Sequence, residues 1–320
     1  MCLESGTTAV GEIVTNPALA EIYCSSQLTG RLYFELLGHD QERFRAMLQK
    51  ALEAAQSVAD GKFGAGLSPH APYTIGDSIY PLIVDAAHSA GLPLAIHCSE
   101  SASETDFIFG SSGPLADDFY PFVGWERYLG APRRCSSTEL LDRAGLLLAN
   151  TLAIHCVHVT RADAEILRQR GVRVVLCPRS NERLDVGRAP VTLLKKLGIP
   201  LALGTDSLAS NDSLSLWDEL HFALNAFPEV LTPVDVFYMA TIGGAAALGI
   251  AATHGSLESG KRADFQVVGG VDGLTAAGNP LERVLFSGTV QDVYVGGQRY
   301  CLGSCDSRPA SELFPQVCSR

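Results

Sequence analysis

His70, His97, Glu100, His155, Arg179, Asn181 and Asp206 are the residues of this sequence whose types and positions suit joint chemistry. Each follows a short apolar run. Gly64–Ser68 precedes His70, and Leu94–Ile96 precedes His97 and Glu100. Thr151–Ile154 precedes His155 and His158, Arg173–Leu176 precedes Arg179 and Asn181, and Leu201–Leu203 precedes Asp206. Neutral imidazole and carboxylate suit a divalent ion such as zinc, which lowers the pKa of its water toward ~7. His97 and Asp206 are the natural ligands in this set. Glu100, three residues beyond His97, is placed to carry protons to a leaving group, a task for a carboxyl of adjustable pKa beside a metal. His155 can orient the attacking hydroxide or hold developing charge.

A lone histidine is more often a packing or capping residue than a ligand. His39, His88, His221 and His254 fit that reading, since they precede a helix pattern, lie within one, or sit in a turn. His158, three residues beyond His155, either faces solvent or joins the site. Asp206, within Gly-Thr-Asp-Ser, has helix N-capping as its alternative. A shared position after an apolar run sets His70, His97 and His155 apart.

The elements that must position these residues read as alternating strands and helices. The strand candidates are Thr8–Val14, Leu32–Leu37 and the five runs above. They are apolar throughout, as expected of strands buried on both faces of a parallel sheet. Helical spacing recurs between them, as in Phe44, Met47, Leu48, Ala51 and Leu52, and glycines such as Gly91, Gly171 and Gly198 follow the helices as stops. Such alternation gives an open doubly wound sheet or a closed barrel. No G-x-G-x-x-G and no phosphate loop is present. Polar residues after five strands favour the barrel, whose active site gathers at those ends.

The expected fold is therefore an α/β barrel of the (β/α)8 TIM type, serving a metal-dependent hydrolase. Only seven βα units are counted, so the first unit is expected to be missing, with helix-like Met1–Ser5 as the tail of what precedes. Residues 1–251 are assigned to the barrel, and 252–320 to a small C-terminal β appendage beside it, with strands at Ala263–Val268 and Gln291–Val295. Gly303–Arg320 is poor in pattern, and Ser111–Arg134 reads as an enlarged loop.

Composition narrows the function. The chain has 320 residues, 47% of them hydrophobic and 18% charged, which excludes disorder. A net charge of −11 offers no basic footprint for nucleic acid or an anionic membrane, so the expected partner is a small-molecule substrate. No apolar run approaches a membrane span, and no secretory leader is visible. Nine cysteines without a C-x-x-C suggest a reducing, cytoplasmic setting, and self-association into a homo-oligomer is compatible.

In order, these motifs resemble the amidohydrolase superfamily, in its branch of nucleobase and nucleoside deaminases and triazine chlorohydrolases. The resemblance runs from Gly6-Thr7-Thr8-Ala9-Val10-Gly11-Glu12 through Ser68-Pro69-His70 and His97-Cys98-Ser99-Glu100. It continues through His155-Cys156-Val157-His158, Gly204-Thr205-Asp206-Ser207 and Gly255–Asp264. It implies one divalent metal, zinc or alternatively iron, held by His97 and Asp206, with Asp206 also accepting the water proton. It implies Glu100 as proton shuttle, His155 as polarising group, and His70, Arg179 and Asn181 as substrate contacts. Cys177-Pro178-Arg179-Ser180-Asn181 looks most like aminofutalosine deaminases, which remove the 6-amino group of an adenine nucleoside carrying a benzoate, a group Arg179 suits as a bidentate partner.

The family's first strand carries His-x-His, two further ligands, and no His-x-His occurs in this sequence. Its place is expected upstream of Met1, in line with the count of seven units. Metal affinity is then expected to fall and strand edges to be exposed. The expected activity is hydrolytic deamination of a purine nucleoside-like substrate of aminofutalosine or adenosine type. The alternatives are triazine-type dechlorination or amide hydrolysis at the same site, and an inactive remnant acting as a binding or structural subunit.

Overall fold

The computed structural model describes residues 1–58, 61–271 and 280–300. Seven strands run parallel in chain order: β1 (Ala9–Val14), β2 (Thr29–Leu36), β3 (Phe63–Pro69), β4 (Ala95–Cys98), β5 (Leu152–His155), β6 (Arg173–Leu176) and β7 (Leu201–Leu203). They form two ladders, β1-β2-β3 and β4-β5-β6-β7, joined by one bridge between Leu67 and Leu94. Among the described residues no strand pairs β7 with β1. All seven strands expected from the apolar runs form, with bounds within a few residues. The runs are apolar because helices cover one face and a packed interior the other.

The helices between the strands are α1 (Ala20–Ser25), α2 (Gln41–Val58), α3 (Tyr80–Ala90), α4 (Ala102–Gly110), α5 (Tyr120–Phe122), α6 (Ser137–Arg143), α7 (Arg161–Arg170), α8 (Pro178–Arg183) and α9 (Val191–Lys196). After β7 come α10 (Leu216–Ala226), α11 (Pro233–Ala240) and α12 (Ile242–Ala247). α2 buries Phe44, Leu48, Ala51 and Ala55, a 3–4 residue spacing that lays one face on β2 and β3. Gly91 and Gly171 end α3 and α7 in left-handed backbone, as their positions in the sequence imply. The opposite face of the strands forms a separate interior of Tyr33, Ala95 and Leu152 with Ile13, Ile154, Val175 and Leu248.

Beyond α12, β8 (Phe265–Gly269), α13 (Pro280–Ser287), β9 (Thr289–Val295) and β10 (Gln298–Tyr300) build a small antiparallel sheet in the order β10-β9-β8. Gln266 ties it to the rest of the chain, accepting from Trp217 Nε1 at 3.0 Å and donating to Gly6 O at 2.9 Å. Gly303–Arg320 lies outside the described residues.

Two local expectations are corrected. Met1–Ser5 is a turn, in which Ser5 N–H donates to Met1 O at 3.0 Å, and Gly6 at φ +92° then redirects the chain. Residues 111–134 are not a plain loop. α5 and short turns at Leu115–Phe119 and Glu126–Tyr128 pack around Phe107, Ile108, Tyr120 and Cys135. Their aromatic residues form a second small core, which local periodicity does not announce.

Candidate metal and catalytic site

Register places the key residues side by side at the carboxyl ends of the strands. Cys98 of β4 sits opposite His155 of β5, and His97 opposite Ile154. One donor atom from each of His97, His155 and Asp206 lies within 4.8 Å of the others. β4 and β7 are three strands apart, about 14 Å across a flat sheet. Contact between His97 and Asp206 therefore requires the array to curl, as a barrel wall does.

Each histidine has one ring nitrogen fixed from behind. His97 Nδ1 donates to His70 O at 2.8 Å, and His155 Nδ1 donates to Asn181 Oδ1 at 2.8 Å. Thr74 Oγ1 gives its proton to Ala71 O, so His70 Nδ1 donates to that hydroxyl at 3.0 Å. With Nδ1 protonated in all three rings, Nε2 keeps its lone pair. The rings lie close, with centroids 5.0 Å apart for His70–His97 and 5.4 Å for His97–His155.

His155 is fully buried, and its Nε2 has no hydrogen-bond partner. Glu100 Oε1 faces it at 3.5 Å. Two acceptors face to face need a proton or a cation between them. Asp206 Oδ2 accepts from Ser180 Oγ at 2.7 Å and from Ser210 Oγ at 2.6 Å, which leaves Oδ1 for the cluster.

The electrostatics agree. Burial lowers the pKa of His70 to about 4, aided by the neighbouring His97. Burial also lowers His97 and His155, and the proximity of the two rings disfavours a second proton on His97. Burial works to raise Asp206, but the Ser210 and Ser180 hydrogen bonds bring it below the usual carboxylate range. Burial raises Glu100 against the pull of His97. Neutral imidazoles beside an ionised carboxylate form the donor set of a divalent cation, with a proton-exchanging carboxyl at its edge. The orphaned Nε2 and this donor set fit a bound metal ion.

The remaining candidates separate. Asn181 is buried, and its Oδ1 accepts from His155 Nδ1 and so orients that ring. Arg179 pairs with Asp212 and lies 3.6 Å from Asp218, so its charge is already met within the protein. His158 Nε2 bonds Val186 O at 2.8 Å and serves the structure. His221 bonds Leu285 O, and His254 meets Thr29 and Asp264. His39 stacks on Tyr128 and lines an open cavity of about 240 Å³ with Trp125, Arg43 and Arg127. Sequence reasoning missed Ser180 and Ser210. Ser180 lies inside a quoted motif, but only the neighbourhood of β6 and β7 reveals its target.

Non-glycine residues with left-handed backbone gather here: Ser99, His155, Cys156 and Asp206. Such strain persists where surrounding bonds enforce it, and it is common at functional sites.

Residues 2–300 match the profile of the Amidohydrolase family. The chain belongs to the amidohydrolase family. It is 32% identical over 271 residues to a 5-methylthioadenosine/S-adenosylhomocysteine deaminase of Desulforudis audaxviator, covering 82% of this chain and 58% of that protein. It is 32% identical over 253 residues to an aminodeoxyfutalosine deaminase of Deinococcus radiodurans, covering 76% and 60%. This amidohydrolase thus spans about three fifths of the length of those relatives. The solved aminofutalosine deaminase of Helicobacter pylori superposes with a TM-score of 0.81 at 25% identity, over 93% of this chain and 75% of that one. A zinc-bound adenosine deaminase of Xanthomonas campestris shares the fold, with a TM-score of 0.78 at 24% identity, over 98% of this chain and 70% of that one. The amidohydrolase fold is therefore an α/β fold of the TIM-barrel type. Among the described residues, none of its helices is long and apolar enough to cross a membrane.

Proposed function

We propose that this amidohydrolase is a metal-dependent hydrolase that deaminates a purine nucleoside-like substrate of the aminofutalosine or adenosine type. The observation that carries the proposal is the orphaned His155 Nε2, set among His97, Asp206 and Glu100. His97 and Asp206 would hold one divalent ion, zinc before iron, with a His155 ring nitrogen within 4.8 Å of their donor atoms. When bound, such an ion supplies a water whose pKa is lowered toward ~7.

The residues divide the remaining work. Asp206 takes the water proton on its carboxylate. Glu100, with its raised pKa, delivers a proton to the purine ring nitrogen next to the reacting carbon. The hydroxyl adds to that carbon, Asp206 passes the water proton to the amine, the C–N bond breaks with loss of ammonia, and the remaining O–H proton returns to Glu100 as the C=O forms. His155, held by Asn181, presents its Nε2 lone pair to the attacking water and orients it. His70, fixed by Thr74, presents its free Nε2 to the substrate.

Arg179 accepts a carboxylated substrate by exchanging Asp212 for it. Residues 1–251 act as the barrel unit and 252–320 as part of a smaller β unit. The eighth strand implied by the family has its place between β7 and β1.

The test is zinc stoichiometry together with ammonia release from 6-aminopurine nucleosides. Zinc bound with ammonia released is the expected result. Zinc bound without ammonia removes deamination, and chloride release from a chlorotriazine then identifies dechlorination. A chain that binds no zinc removes the metal centre and leaves the binding-subunit reading.

A further inference from the structure

Three helices of this protein start in the same way. Ser136, Thr160 and Thr232 cap α6, α7 and α11, and the acid three residues on returns a bond to the cap's own N–H. α4 starts with half of that motif, since Ser101 Oγ accepts from Glu104 N at 3.1 Å. The Glu104 carboxylate does not return to Ser101. It reaches past the cap, where Oε2 accepts from Glu100 N–H at 2.9 Å and Oε1 from Ser99 N–H at 2.8 Å. Oε1 also accepts from Ser137 Oγ at 2.5 Å, from the first turn of α6. Glu104 has no exposed surface, and no cation of the described residues pairs with it. Ser99 is held at φ +52°, a backbone its Cβ disfavours.

We propose that Glu104 is a positioning residue for Glu100: its two carboxylate oxygens clamp successive N–H groups of the Ser99–Glu100 segment and so aim the Glu100 carboxyl at His155 Nε2. The clamp explains how a strained segment between β4 and α4 stays in one shape. It also explains why a carboxyl group, rather than an amide, sits at a place with no cation partner among the described residues. Two parallel N–H donors need two acceptor oxygens, and glutamine offers one. Ser137 supplies the third bond and ties the clamp to α6.

The kinetic arm rests on the deaminase reading and compares Glu104→Gln with Glu104→Ala, per mole of folded, zinc-loaded protein. Gln keeps the volume and one acceptor but turns a donor toward an N–H. The expected result is a fall in kcat of about 10- to 100-fold for Gln and more for Ala, the range of second-layer changes. KM should stay within about twofold, since binding groups are untouched. A purely structural role would lower Tm in both variants and leave kcat of the folded fraction unchanged, and that result overturns the proposal.

The second arm needs no activity. Amide exchange of Ser99 and Glu100 should accelerate at least tenfold in Glu104→Gln while exchange in β5 and α7 is unchanged; equal exchange in variant and parent overturns the clamp. If the parent releases no ammonia, the deaminase reading fails alone and this arm still decides the clamp. If Glu104→Gln does not fold, Ser137→Ala, which removes one of the three bonds, should show a smaller acceleration at the same two amides; no acceleration overturns the proposal.

Discussion

The ends of β1–β3 and the ends of β4–β7 are built from the same architecture and do different work. Both sets are parallel, both are apolar, and both pack helices against their outer face. The β1–β3 side contributes His70 and aromatic packing around His39. The β4–β7 side contributes His97, His155 and Asp206, each with a dedicated partner behind it. Backbone strain follows the same division. Every non-glycine residue with positive φ lies at or beyond Ser99, and the described residues before it have none. A parallel array supplies the platform, and Asn181, Ser180, Ser210, Glu104 and Glu219 form a buried polar layer behind one part of it. Glu219 plays its part under β6 and β7, accepting from Asn211 Nδ2 at 2.8 Å and from Arg179 N.

The sharpest break in this comparison is Asp206→Asn. It should abolish zinc retention and lower ammonia release by on the order of 10³ or more, with Tm little changed in zinc-free buffer. Retention of stoichiometric zinc by this variant would show that the cluster is not the metal site. Phe34→Ala makes the opposite cut, in the fully buried core of β2. It should cost about 3–5 kcal/mol of stability, read by urea unfolding, and leave kcat of the folded fraction intact. A loss of kcat at unchanged zinc content would mean that the two sides are not independent.

Asn181→Ala should lower kcat by about 10- to 100-fold, because His155 loses its orienting partner while the metal ligands stay. A change confined to KM would return Asn181 to the substrate. Arg179→Ala should weaken a carboxylated nucleoside more than adenosine; equal losses would assign Arg179 to structure through Asp212 and Asp218.

The smallest effect belongs to His39. Burial, reinforced by the Arg133 charge, lowers its pKa to about 4. A depressed histidine contributes stability that is present above its ordinary pKa near ~6.5 and is lost as pH falls through about 4. Relative to His39→Phe, the parent should therefore lose Tm progressively from pH 6.5 to pH 4. Parallel Tm curves would show that the ring is not held neutral by its surroundings.

The strands were legible because burial on both faces leaves a run of apolar residues, as in Leu201-Ala202-Leu203. The chemical residues were legible because they follow those runs directly. The supporting layer was not, because its bonds join distant positions. Ser180 reaches Asp206 across 26 residues and Ser137 reaches Glu104 across 33. A serine carries no local sign of such a partner. Residues 111–134 were misread for a related reason. Their order comes from aromatic contacts such as Phe107–Tyr120 and Tyr120–Trp125, not from a repeating pattern along the chain.

The seam between the two ladders has one bridge at Leu67 and Leu94, and its other fastening is His97. Its backbone N–H and its Nδ1–H both close on the carbonyl of His70, at 3.0 and 2.8 Å. A candidate metal ligand is thus also a tie between the two ladders. A cation held by His97 Nε2 would then be thermodynamically linked to the joint between the two ladders, along the line from Pro69 to Leu94.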